Sequence, residues 1–208
     1  LRAAAAQLAA RGHLMIVDEA FVDVDPALSL CPHLISGPST ANSPAEKNAA
    51  SEFRGENVIV FRSFGKFFGL AGVRLGFALG REKVVSALSR ALGPWAVPGP
   101  ALSIGAQALG DEPWQVRARQ DYAQVACQLD DVLSRHDFEV IGGTSLFRLA
   151  HHTHAKMVHS RLAQEGILVR RWDDYPAWLR FGLPARPADV DRLDGALSRI
   201  GAMAGGHD

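Results

Sequence analysis

The stretch Ser63-Phe64-Gly65-Lys66-Phe67-Phe68-Gly69-Leu70-Ala71-Gly72-Val73-Arg74-Leu75-Gly76 decides how the rest of the chain is read. It sets a hydroxyl three residues before a lysine and an arginine eight residues after it, with four glycines loosening the backbone. Phe64, Phe67, Phe68 and Leu70 are apolar neighbours that would desolvate the lysine and free its amine for attack on a carbonyl. Ser63 and Arg74 are both suited to gripping a phosphate.

Working outward, Asn57–Arg62 is an apolar run that leads straight into Ser63. His13–Val17 is a second such run, ending in the acidic pair Asp18-Glu19. Both read as strands, His13–Val17 as a buried parallel one, and ligand sites in open α/β sheets lie at the carboxyl ends of strands. A lysine poised for a Schiff base beside two phosphate ligands is what pyridoxal phosphate requires. Asp18 alone would be a turn or helix cap. With Lys66 on the next strand it also reads as the carboxylate that keeps the pyridine nitrogen protonated. Ser63-x-x-Lys66 matches the nucleophile pair of penicillin-binding proteins too, but their Ser-Asp-Asn and Lys-Thr-Gly partners do not occur.

The remaining pattern supplies the frame. Leu1–Arg11 reads as a helix stopped by Gly12, Ser36–Glu56 as a partly mobile surface loop, Val73–Leu79 as a strand and Arg81–Leu92 as a helix. A rigid connector, Gly93–Pro100, precedes a short helix over Ala101–Leu109. A long amphipathic helix runs from Pro113 to about Arg135. Short strands follow over Phe138–Ile141, Ser145–Leu149, Ile167–Arg171 and Trp178–Gly182, with a helix over Ala155–Glu165 and a last helix opened by Pro187. The expected domains are residues 1–110, the C-terminal part of a larger α/β domain, and 111–208, a small α+β domain that includes the long helix.

The 208 residues carry equal numbers of acidic and basic side chains, 22 each, and no long basic stripe. This speaks against nucleic acid or an anionic membrane as the main partner. No run is apolar and long enough to span a bilayer. Cys31 and Cys127 form no metal-type spacing, and a reduced, cytoplasmic compartment fits them. The chain begins with Leu1 inside a helical pattern, which reads as a fragment of a longer protein.

Arg180 lies within the apolar run Trp178-Leu179-Arg180-Phe181 and is expected to need an anionic partner, either Asp173 or Asp174 or a substrate carboxylate. His151, His152 and His154 read as a solvated turn rather than a metal site. Asp23 and Asp25 read as a solvated loop.

Taken together, Val17-Asp18-Glu19-Ala20-Phe21, Ser63-Phe64-Gly65-Lys66, Arg74 and Leu179-Arg180-Phe181-Gly182 resemble the fold-type I, aspartate aminotransferase-like pyridoxal phosphate enzymes. Arg62–Gly80 and Gly142–Leu149 resemble most the branch holding threonine-phosphate decarboxylase and histidinol-phosphate aminotransferase. The resemblance implies an α/β fold with part of the large mixed-sheet domain and the small C-terminal domain. It makes Lys66 the Schiff-base lysine, Asp18 the ring-nitrogen partner, and Ser63 and Arg74 the cofactor-phosphate ligands. Arg180 would bind the substrate α-carboxylate and Arg170 the substrate phosphate, with no metal. Phe21 stands where many members carry a tyrosine bonded to the cofactor's ring oxygen, and this departure favours the decarboxylase over the aminotransferase. Within this family the protein is expected to be a homodimer in the cytoplasm. The family's N-terminal phosphate loop and ring-stacking residue are not in these 208 residues, so an inactive fragment is a third expectation.

Overall fold

The computed structural model describes residues 1–34, 55 and 57–204. The loop expected over Ser36–Glu56 lies, apart from Gly55, outside the described residues. The chain divides into two compact units, Leu1–Asp111 and Glu112–Asp208.

In the first unit, helix α1 (Arg2–Ala9) precedes strand β1 (Met15–Asp18), and a single helical turn α2 (Cys31–Leu34) precedes β2 (Val58–Ser63). β1 and β2 are parallel, with Met15 opposite Val58 and Asp18 opposite Phe61. β3 (Gly76–Gly80) runs antiparallel to β2, with Gly76 opposite Ser63. β2 is therefore central, and its β-branched run Val58-Ile59-Val60 is buried as a central strand demands.

Two expectations need correction here. β1 is not wholly buried: Met15 and Val17 pack toward Ala5 and Leu30, while Ile16 on the other face is 61% exposed. Among the described residues it lies at one edge of this sheet, and it alternates as a strand covered on one side does. β3 begins at Gly76 rather than Val73, because Ala71–Val73 form a 3₁₀ turn and Arg74 adopts a left-handed φ of 57°. Helices α3 (Glu82–Leu92) and α4 (Gly99–Gly110) complete the unit. α4 presents Gly105 to the Ser63–Gly76 loop so closely that a Cβ there would lie 2.3 Å from Leu75 Cδ2.

The second unit opens with the long helix α5 (Glu112–Arg135). It continues through β4 (Glu139–Thr144), β5 (Phe147–His151), α6 (Ala155–Gln164), β6 (Arg170–Arg171), β7 (Trp178–Gly182) and α7 (Pro187–Ala204). The sheet is antiparallel in the order β4-β5-β7-β6. Leu129 and Leu133 of α5, Leu162 of α6, Leu179 and Phe181 of β7, and Ala196 and Leu197 of α7 form its core. β6 is shorter than the expected Ile167–Arg171. Gly166 takes a φ of 73°, and the Ile167 N–H donates to the Leu162 carbonyl at 2.8 Å. That donor closes the end of α6 and is not available to the sheet. Arg148 forks onto Asp130 at 2.6 and 2.9 Å, tying β5 to α5.

Candidate active site

Parallel pairing brings the carboxyl ends of β1 and β2 to one edge of the first sheet, and antiparallel β3 begins at that same edge. Asp18 ends β1, Ser63 ends β2 and faces Gly76, and Arg74 lies just before Gly76. The fold thus gathers Asp18, Phe21, Ser63, Lys66 and Arg74 at one end of one sheet. Lys66 Nζ stands 5.5 Å from the centroid of the Phe21 ring.

Local structure fixes each side chain. Phe64, Phe67 and Phe68 are all buried, with Phe64 stacked on Phe68 at 4.5 Å between centroids. Lys66 itself is exposed. The phenylalanines therefore anchor the loop to the core and do not enclose the amine, contrary to the expected desolvation. Ser63 Oγ accepts the Gly65 N–H at 3.0 Å and keeps its own proton to donate. Asp18 Oδ1 accepts the Ala20 N–H at 2.9 Å, as a turn cap does, while the carboxylate stays exposed. Arg74 donates from Nη1 to the Ala71 carbonyl at 3.1 Å. Its left-handed backbone is unfavourable for a residue with a Cβ, and such strain clusters at ligand sites.

An amine, a carboxylate, a hydroxyl and a guanidinium at one sheet edge suit the aldehyde, ring nitrogen and phosphate of pyridoxal phosphate. Phe21 contributes a ring and no hydroxyl.

Beneath this edge lies a polar cluster that sequence reasoning missed. Asp23, expected in a solvated loop, is buried and ion-paired with Arg62. Glu19 is also buried; it accepts from Ser29 Oγ at 2.7 Å and the Leu30 N–H at 2.6 Å, and lies 3.7 Å from Arg62 Nη1. Burial opposes the charge on Arg62, but Asp23 and Cys31 together outweigh it and hold the guanidinium above its ordinary range. The signal available in sequence was an arginine at the end of an apolar strand, a charge that requires partners.

In the second unit, Arg170 and Arg180 are register partners, and both are exposed. Arg180 is not buried in its apolar strand: Leu179 and Phe181 turn to the core, and Arg180 points to the opposite face. Its guanidinium lies 5.2 Å from the Phe147 ring, and that of Arg170 lies 5.7 Å from the Trp172 ring. Asp173 pairs with Arg171 at 2.6 Å rather than with Arg180. His152 is half-buried, packs on Phe138 at 4.5 Å and accepts the His154 N–H at 3.0 Å. Among the described residues no group of three His, Cys, Asp or Glu is placed to hold a metal ion, and no helix is long and apolar enough to cross a membrane.

A family model described as aminotransferase class I and II matches residues 1–200. The chain is 41% identical over 200 residues to a threonine-phosphate decarboxylase from Sinorhizobium sp, covering 96% of this chain and 54% of that protein. It is 30% identical to a histidinol-phosphate aminotransferase from Thiobacillus denitrificans, covering 79% of this chain and 44% of that one. The chain thus spans about half the length of the curated relatives it matches. Its fold matches that of a histidinol-phosphate aminotransferase from Sinorhizobium meliloti solved with pyridoxal-5'-phosphate, with a TM-score of 0.72 at 20% identity over 92% of this chain and 49% of that one. The fold is that of the type I pyridoxal phosphate enzymes, as the sequence led one to expect.

Proposed function

This chain belongs to the aminotransferase class I and II family, and from that premise we propose that its parent protein decarboxylates L-threonine O-3-phosphate. The product would be (R)-1-aminopropan-2-ol O-2-phosphate, a precursor in cobalamin biosynthesis. The observation that carries this choice is the higher identity to a threonine-phosphate decarboxylase than to a histidinol-phosphate aminotransferase. The hydroxyl-free ring of Phe21 beside Lys66 supports it.

Bound pyridoxal phosphate supplies an electron sink for the bond broken at the substrate Cα. Lys66 Nζ holds the cofactor aldehyde and afterwards donates the proton to Cα. Asp18 keeps the ring nitrogen protonated, and Ser63 and Arg74 hold the cofactor phosphate. Arg180 binds the substrate carboxylate and Arg170 the substrate phosphate. In this reading residues 1–110 are the C-terminal part of the large cofactor domain and 111–208 the small domain of a cytoplasmic homodimer.

The alternative is a histidinol-phosphate-type aminotransferase in which Lys66 removes the Cα proton. The deciding experiment gives full-length protein threonine phosphate without a keto-acid acceptor and measures carbon dioxide. Release supports decarboxylation, and turnover that strictly needs the acceptor assigns the aminotransferase. The fragment alone is expected to bind the cofactor weakly, and tight stoichiometric binding would show its residues to be sufficient.

A further inference from the structure

Arg62 immediately precedes Ser63 at the end of β2, whereas Glu19 and Asp23 bracket the turn after β1 that carries Phe21. One guanidinium joins the two segments. Its Nη2 pairs with Asp23 Oδ1, and its Nη1 lies 3.7 Å from Glu19 Oε2 and 3.4 Å from Ser29 Oγ. Glu19 is in turn fixed at both oxygens by Ser29 and Leu30. The Arg62 side chain is 23% exposed and that of Glu19 5%, so water screens this cluster only partly.

Buried ion clusters contribute little net stability, and apolar replacements of the same volume often do as well. Their better-attested use is to fix register. This cluster also leaves a donor unspent, since Arg62 Nε is buried with no hydrogen-bond partner among the described residues. Arrangement, rather than stability, is what the cluster provides.

We propose that Arg62 is a positioning residue. By bridging Asp23 and Glu19 it holds the Asp18–Phe21 segment and the Ser63–Lys66 segment at one fixed spacing. The inference rests on the cofactor reading above, in which Asp18 and Lys66 serve the same ring. A lysine at position 62 keeps the charge but presents a single point, which cannot span two carboxylates as a guanidinium does.

The test uses full-length protein loaded with pyridoxal phosphate and two variants, Arg62→Lys and the shape-preserving Asp23→Asn. Both are expected to keep the wild-type circular dichroism and the visible cofactor band. The pH titration midpoint of that band should shift, and kcat should fall about 10- to 100-fold at unchanged KM, the scale of a misplacement near 1 Å. A folded variant with the wild-type band titration and kcat overturns the proposal, as does loss of fold in both variants. A wild-type protein without a band, or a band that survives Lys66→Ala, removes the cofactor reading itself. That outcome is distinct from the other two.

Discussion

Arg170 and Arg180 stand directly opposite each other in the β6–β7 ladder, so two exposed basic side chains share one face of the sheet. Like charges so placed repel, at a cost on the order of 0.2–1 kcal/mol. Each is partly offset by its ring, Trp172 for Arg170 and Phe147 for Arg180, at about 0.5–1 kcal/mol for an exposed cation–π contact. The pair is near balance without a ligand and gains when an anion lies between or beside the two groups.

Arg170→Ala should therefore leave stability within about 1 kcal/mol of wild type, since repulsion and ring contact are lost together. It should weaken a phosphate-bearing substrate about 10- to 100-fold, the loss expected for one charge-assisted hydrogen bond. Thermal unfolding and substrate titration of the full-length protein check the two arms. A variant that loses stability but keeps its affinity would make Arg170 structural.

Arg74 offers a parallel test in the first unit. Its φ of 57° costs a side-chain-bearing residue roughly 1–2 kcal/mol. Glycine relieves that strain but loses roughly 0.5–1 kcal/mol to backbone entropy. Arg74→Gly is thus expected to fold with nearly unchanged stability and to bind pyridoxal phosphate at least about tenfold more weakly, as befits a lost phosphate contact. Cofactor affinity measured by absorbance decides it, and an unchanged affinity would remove Arg74 from the phosphate site.

The frame of this site was legible because short-range pattern sets it. The apolar run before Ser63, the one ending at Asp18 and the glycine spacing after Lys66 together place the strands and the loop that carry the chemistry. What pattern could not give was side-chain direction. Spacing alone sets Phe64, Phe67 and Phe68 around the amine, whereas the core takes all three rings. The apolar strand neighbours of Arg180 call for an anionic partner, but alternation across a half-covered sheet turns the side chain outward. Asp23 has the sequence context of a loop residue, yet Arg62, 39 positions away, pairs with it. Such a contact leaves no local periodicity to read.

His152 carries a pH dependence whose direction follows from its surroundings. Burial pushes its pKa down from 6.5, His154 and His151 push the same way, and Asp137 opposes them. The folded state thus resists protonation at a pH where the unfolded chain accepts it. Its contribution to stability is full above about pH 6.5 and is lost as the pH falls toward the lowered folded value. His152→Asn keeps an acceptor for the His154 N–H, which now bonds the ring at 3.0 Å. The thermal midpoint of the wild type should fall between about pH 7.5 and about pH 5.5, the range in which histidine titrates, and that of His152→Asn should fall less. Equal falls in the two proteins would assign the acid sensitivity to other groups.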